Sequence, residues 1–233
     1  MNRIKRAIIM AAGKGERMRP LTDTVAKPLV KVNGVRMIDS VIDALHENGI
    51  NEIHIVTGHL KEQFEELKEK YDVDLIENPY YDTCNNISSL YCARDYIDDV
   101  IILDGDQIVF DPKILHSEFD RSGYSSVYTE TQTSEWLMQV NDEGIVTSCS
   151  RTGGNRGWQL FSISRWNHED SVKLKHFLEY EFDVKKNRQI YWDDVAMFCH
   201  FDEFRLGIYE IRKEDLIEID SLEELIDADP SYA

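Results

Sequence analysis

The sequence predicts an α/β domain with a mixed, mainly parallel sheet flanked by helices. Three observations carry that prediction. Short apolar runs alternate with amphipathic segments through the first half of the chain, a glycine-rich turn follows the first apolar run, and a later apolar run ends in Asp104 and Asp106. Such alternation buries strands between helices and leaves ligands at the strands' carboxyl ends.

The elements follow in order. "RAIIMAA" (6–12) is a continuous apolar run and reads as a buried first strand. "MIDSVIDALHENG" (37–49) spaces Ile38, Val41, Ile42 and Leu45 on one helical face and stops at Gly49. "EIHIVTG" (52–58) is a strand, "HLKEQFEELKEKY" (59–71) a helix with a charged outer face, and "VDLIEN" (73–78) a strand again. "DVIILDGD" (99–106) closes this βαβαβ series as a buried strand ending in carboxylates.

The second half is less regular. "WLMQVNDEGIVTS" (136–148) predicts a hairpin around Asn141 to Gly144, and "GWQLFSIS" (157–164) a strand. "HEDSVKLKHFLEYEF" (168–182) and "IYWDDVAMFCHF" (190–201) read as helices, while "RLGIYEIR" (205–212) and "DLIEID" (215–220) return to strand character. Ser221 with Glu224 three residues later opens a last helix through a capping box. No repeat, low-complexity tract or linker divides the chain, so residues 1–233 are expected to form one domain.

At 233 residues and 42% hydrophobic content the chain can bury a real core. A formal charge of −18 argues against binding nucleic acid or an anionic membrane. The charge is uneven: residues 1–36 hold nine Lys or Arg against Glu16 and Asp23, a net +7. A basic pole on an acidic protein suits a polyanionic small molecule. Cys84, Cys92, Cys149 and Cys199 show no C-x-x-C spacing, so neither a zinc site nor a redox pair is signalled, and scattered thiols suit a reducing cytoplasm. Lys14, Glu16 and Arg17 cut the first apolar run too short for an export or membrane segment.

The stretch "MAAGKGERMRPLTDTVAKPL" (10–29) combines glycines with Lys14, Arg17, Arg19 and Lys27. Backbone N–H groups of a glycine-rich turn and nearby cations together bind phosphate oxygens. The dinucleotide fingerprint fails at Met18 and the P-loop pattern is absent. What remains, A-A-G-x-G-x-R-M-x-P-L-T followed by K-P-L, resembles the nucleotidyltransferase family that includes the sugar-1-phosphate nucleotidylyltransferases. Ala26 is a departure, standing where many relatives carry proline. The resemblance implies a Rossmann-like nucleotidyltransferase fold in which Ala11, Ala12, Gly13, Lys14 and Gly15 wrap a triphosphate. Arg17 and Lys27 would then supply catalytic positive charge, Arg17 as a bidentate grip and Lys27 as a point charge. It also implies a magnesium site: Asp106 matches the family's metal-binding aspartate, and Glu218 and Asp220, late in the chain, are candidates to complete it, Asp220 first. Asp104 is assigned to the nucleotide.

"YYDTCNNISSLY", "SVYTETQTSEWLMQV", "IYWDD" and "IEIDS" are similar to the corresponding stretches of bacterial CTP:phosphocholine cytidylyltransferases, nearly end to end. This implies CTP and phosphocholine as substrates and magnesium as cofactor. Asn86 and Ser89 fall where such enzymes read the base, although both residue types also suit a turn. A quaternary ammonium is held by aromatic faces and carboxylates. Glu135 with Trp136, and Tyr191 and Trp192 with Asp193, offer both types, with Trp158 and Tyr128 in reserve; acceptor-binding insertions are thus expected mainly within 125–200. Competing expectations are a cytidylyltransferase for 2-aminoethylphosphonate or phosphoethanolamine, a sugar-1-phosphate enzyme, or a non-catalytic nucleotide-binding module.

Overall fold

The computed structural model describes residues 1–233. Its central sheet is built on β1 (Arg6–Ala11), β2 (Glu52–Thr57), β3 (Asp74–Glu77) and β4 (Val100–Asp104), parallel to one another in the order β4-β1-β2-β3. Helices α1 (Met37–Glu47), α2 (Glu65–Tyr71) and α3 (Ile87–Cys92) make or accompany the crossovers. Alternate residues of β1 serve opposite faces, as a pleated strand requires. Ala7 and Ile9 join Ile38, Val41, Ile42 and Leu45 of α1 in one core, and Ile8 and Met10 join Leu90 of α3 in the other. Gly49, at φ +73°, ends the α1 segment in a conformation other residues adopt only under strain.

A short strand β5 (Gln107–Val109) follows the carboxylates, and the chain then builds an antiparallel flank. It comprises β6 (Gly123–Thr129), β7 (Leu137–Val140), β8 (Val146–Ser150) and the long β9 (Gly157–Trp166), which joins the parallel sheet by pairing antiparallel with β4. The β7–β8 turn forms where expected: Asn141 Oδ1 accepts from the N–H groups of Glu143 and Ile145, and Gly144 takes φ +71°. Helix α4 (His168–Glu179) packs Leu174 and Leu178 on the second core. Then β10 (Gly207–Glu210) pairs parallel with β6, β11 (Leu216–Glu218) pairs antiparallel with β5, and α5 (Leu222–Ala228) closes the chain behind the Ser221–Glu224 capping box.

Three expectations change. The segment 190–201 is no regular helix: it holds a π-helical turn over Val195–Cys199 and a 3₁₀ turn over Phe201–Glu203. The helix expected over 59–71 begins as a 3₁₀ turn at Lys61–Phe64 and becomes α-helical only from Glu65. Strand β6 and helix α3 carry no clear period and were not expected. Tertiary packing decides these two elements, since Tyr124 of β6 and Ile87 and Leu90 of α3 are wholly buried. No helix is long and apolar enough to cross a membrane.

A third, smaller core positions the site. Met18 of the glycine-rich loop packs with Val30, Met37, Ile108, Ile219 and Leu225. Chain segments about two hundred residues apart are thereby pinned together, and Lys27 reaches Asp220.

Candidate active site

The loop after β1 needs glycine at one point above all. Gly15 has φ +62°, and a Cβ there would come 2.9 Å from Thr22 Cγ2 and 3.1 Å from Lys27 Cβ. Thr22 Oγ1 donates to the Gly15 carbonyl at 2.8 Å and fixes the loop's return toward Lys27. Lys14 is ion-paired with Asp82 at the rim.

Lys27 is 10% exposed, and its ammonium lies 2.6 Å from Asp106 Oδ2 and 2.6 Å from Asp220 Oδ1. Burial works against its charge, yet the two carboxylates outweigh burial and hold it above the ordinary lysine range. Arg17 Nη2 reaches the same Asp220 oxygen at 3.0 Å. Asp220 is pushed up by burial but held below the usual carboxylate range by Lys27 and Arg17.

A different trio converges as a candidate cation site. Asp104, at the end of β4, Asp106 and Glu218, at the end of β11, offer carboxylate oxygens within 4.8 Å of one another. Burial and mutual repulsion raise Asp104 well above its usual range and Glu218 to about 8. Asp106 Oδ1 is buried without a hydrogen-bond partner. Crowded hard oxygens and an orphaned carboxylate oxygen suit a magnesium ion. Asp104, expected beside the nucleotide, thus joins Asp106 and Glu218, whereas Asp220 faces cations.

These carboxylates line one wall of a cleft of about 350 Å³, with Arg17, Asn86, Glu135, Trp136, Tyr191 and Asp193 among its other residues. Trp136 stands edge-to-face to Tyr191, ring centroids 5.9 Å apart at 90°. Behind them, Arg151 lies over the Phe198 ring at 3.5 Å and faces Trp136 at 5.8 Å. Its Nε donates to Asp194 Oδ1 at 2.8 Å, while Asp194 Oδ2 accepts from the Tyr191 N–H at 2.8 Å. One buried carboxylate therefore braces both aromatic walls. Asp193 is raised to about 7, by burial first, against a lowering contribution from the Tyr124 hydroxyl.

Trp192 corrects its expected place. It is 1% exposed and packs among Tyr124 and Trp166, with centroids 6.3 Å from each, so it belongs to the core and not to the cleft wall. In the turn at 191–194 neighbouring side chains diverge. The reserves Tyr128 and Trp158 pack on each other at 5.2 Å, and neither lines the cleft. Ser89 lies in an adjoining cavity of about 150 Å³ with Ala12, Gly13, Asn78 and Asn86, and Asn86 Oδ1 accepts the Trp192 N–H at 2.8 Å, linking the two spaces. Arg151, Asp194, Phe198 and Asn78 went unnoticed in the sequence; only the doubled acid of "WDD" hinted at Asp194.

Fold and site together define a nucleotidyltransferase, an enzyme that moves a nucleotidyl group onto an acceptor. The chain belongs to the MobA-like NTP transferase family, whose domain matches residues 7–162. It is 37% identical to the 2-aminoethylphosphonate cytidylyltransferase of Lancefieldella rimae, over 97% of this chain and 92% of that protein. It is 34% identical to the choline-phosphate cytidylyltransferase of Streptococcus pneumoniae, over 94% of each. The solved CTP:phosphocholine cytidylyltransferase of Streptococcus pneumoniae superposes with a TM-score of 0.91 at 33% identity, covering 99% of this chain and 100% of that one. Within its family the chain is a cytidylyltransferase.

Proposed function

We propose that the protein transfers CMP from CTP to phosphocholine, releasing CDP-choline and pyrophosphate. One observation carries the choice of acceptor: the edge-to-face pair Trp136–Tyr191 walls the same cleft as the carboxylate trio. A trimethylammonium group can neither donate nor accept a conventional hydrogen bond, and aromatic faces with a nearby carboxylate such as Glu135 suit it.

The backbone from Ala11 to Gly15 would cradle the triphosphate, with Arg17 gripping its oxygens. Asp104, Asp106 and Glu218 would hold magnesium, which neutralises charge on the triphosphate and on the departing pyrophosphate. A phosphocholine oxygen attacks the α-phosphorus as the bond to pyrophosphate breaks, so no enzyme nucleophile is needed. Lys27 exchanges its carboxylate partners for α-phosphate oxygens and stabilises the charge that develops there.

A second reading, 2-aminoethylphosphonate as acceptor, draws on the relative from Lancefieldella rimae and on Glu135 and Asp193, since a primary ammonium needs hydrogen-bond acceptors. Asp193 is a weak counter-ion near neutrality because its carboxyl is raised to about 7. Pyrophosphate release from CTP, measured with phosphocholine, phosphoethanolamine, 2-aminoethylphosphonate and a sugar 1-phosphate, separates the readings. Phosphocholine is expected to give the highest kcat/KM, and a higher value for any other acceptor rejects this reading.

A further inference from the structure

The cavity beside the charged cleft contains a hydrogen-bond chain whose direction is fixed. Asn78 follows β3 and is 1% exposed. Its Oδ1 accepts from the Tyr80 N–H at 2.8 Å, and its Nδ2 donates to both Ser88 Oγ and Ser89 Oγ at 3.0 Å. The opposite amide orientation would set two donors against each other at Tyr80, so the network dictates which atom is nitrogen. Ser88 passes its own proton to the Asn85 carbonyl at 2.8 Å. Ser89 accepts from Asn78, and its hydroxyl proton finds no acceptor in the protein. Ser89 lines the 150 Å³ cavity together with Ala12 and Gly13 of the phosphate loop.

We propose that Asn78 is a positioning residue that holds the Ser89 hydroxyl as a donor into this cavity, where it meets ring atom N3 of the base and selects cytosine over uracil. This rests on the reading of the cavity as the nucleotide's base site. Cytosine presents a lone pair at N3, whereas uracil presents an N–H. A hydroxyl accepting from a buried amide keeps one free lone pair, but turning that lone pair toward a uracil N–H would leave its own proton without an acceptor in the protein, so uracil leaves a donor unpaired whichever way the hydroxyl turns. Leaving such a donor unpaired weakens binding by about tenfold or more.

Asn78→Asp tests the direction of the chain. The substitution keeps an acceptor for the Tyr80 N–H but turns an acceptor toward Ser89, whose proton then swings to the carboxylate and exposes its lone pairs to the base. At pH 8, the ratio of kcat/KM for CTP over UTP should fall about tenfold or more, while the KM for the acceptor stays within about twofold. Ser89→Ala, which removes only a hydroxyl, should lower the same ratio by weakening use of CTP, and it decides the case if Asn78→Asp does not fold. A folded Asn78→Asp enzyme with the wild-type ratio, or an unchanged ratio in Ser89→Ala, overturns the proposal. Calorimetric titration of the wild type with CTP and UTP keeps the two levels apart: no binding of either nucleotide rejects the base site itself, and equal binding rejects only the selection.

Discussion

The two sides of the cleft are built by opposite means. On the side proposed for the nucleotide, carboxylates sit at and just beyond the ends of β4 and β11 and cations on a glycine-rich segment clamped by the Met18 core, and both cations are paired: Lys27 with Asp106 and Asp220, Arg17 with Asp220. On the side proposed for the acceptor, Trp136 precedes an antiparallel hairpin and Tyr191 lies in an irregular turn, and both depend on the Arg151–Asp194 brace. A strand end fixes a carboxylate through the backbone ladder, whereas a wall of side chains is held only by other side chains. The first arrangement suits chemistry common to many acceptors. The second can change its acceptor without disturbing the first.

Removal of divalent metal should have the largest effect and should fall entirely on the nucleotide side. With excess chelator, pyrophosphate release is expected to drop to background and to return with magnesium, while fluorescence of the aromatic wall in the presence of phosphocholine stays unchanged. Lys27→Ala comes next. Losing a preorganised cation at the reacting phosphate should reduce kcat by about 100-fold or more, with a much smaller change in CTP binding by calorimetry. A near-normal kcat would remove Lys27 from the chemistry.

Trp192 and Trp136 sharpen the contrast within the acceptor side itself. Trp192→Ala should cost about 3–5 kcal/mol of stability in denaturant unfolding, because it empties a packed core. Trp136→Ala should leave the unfolding midpoint close to wild type. The smallest effect is on pH dependence. Asp193, raised to about 7 chiefly by burial, carries its negative charge only as the pH rises past that value. The acceptor KM should therefore fall about two- to fivefold between pH 6 and pH 8 beyond the fall seen in Asp193→Asn, which shares the acceptor's own phosphate ionisation.

The charged side of the cleft is largely legible in the sequence. Gly15, Lys27 and Asp106 lie in short stretches whose spacing is itself the signal, and the apolar runs before them announce the strands that carry them. The choice between Glu218 and Asp220 was not legible. Two carboxylates at alternate positions share a face only while the strand lasts, and β11 ends at Glu218, so Asp220 already belongs to the cap of α5, where the Asp220 N–H donates to Glu224 Oε2 at 2.7 Å. On the acceptor side, Trp136 and Trp192 look alike in sequence, each beside an acid. Only the turn at 191–194 separates them, and that turn is set by contacts from distant residues: Asn86 to the Trp192 N–H, and Arg151 to Asp194.

The most direct test of this division is the ratio of kcat/KM for phosphocholine over 2-aminoethylphosphonate, with CTP, in the wild type and in Trp136→Ala. A desolvated cation–π contact contributes about 2 kcal/mol or more, so the wild type should favour phosphocholine by about tenfold or more and Trp136→Ala should lose most of that preference with its KM for CTP unchanged. A wild type that prefers 2-aminoethylphosphonate, or a ratio that survives the loss of Trp136, would contradict the account.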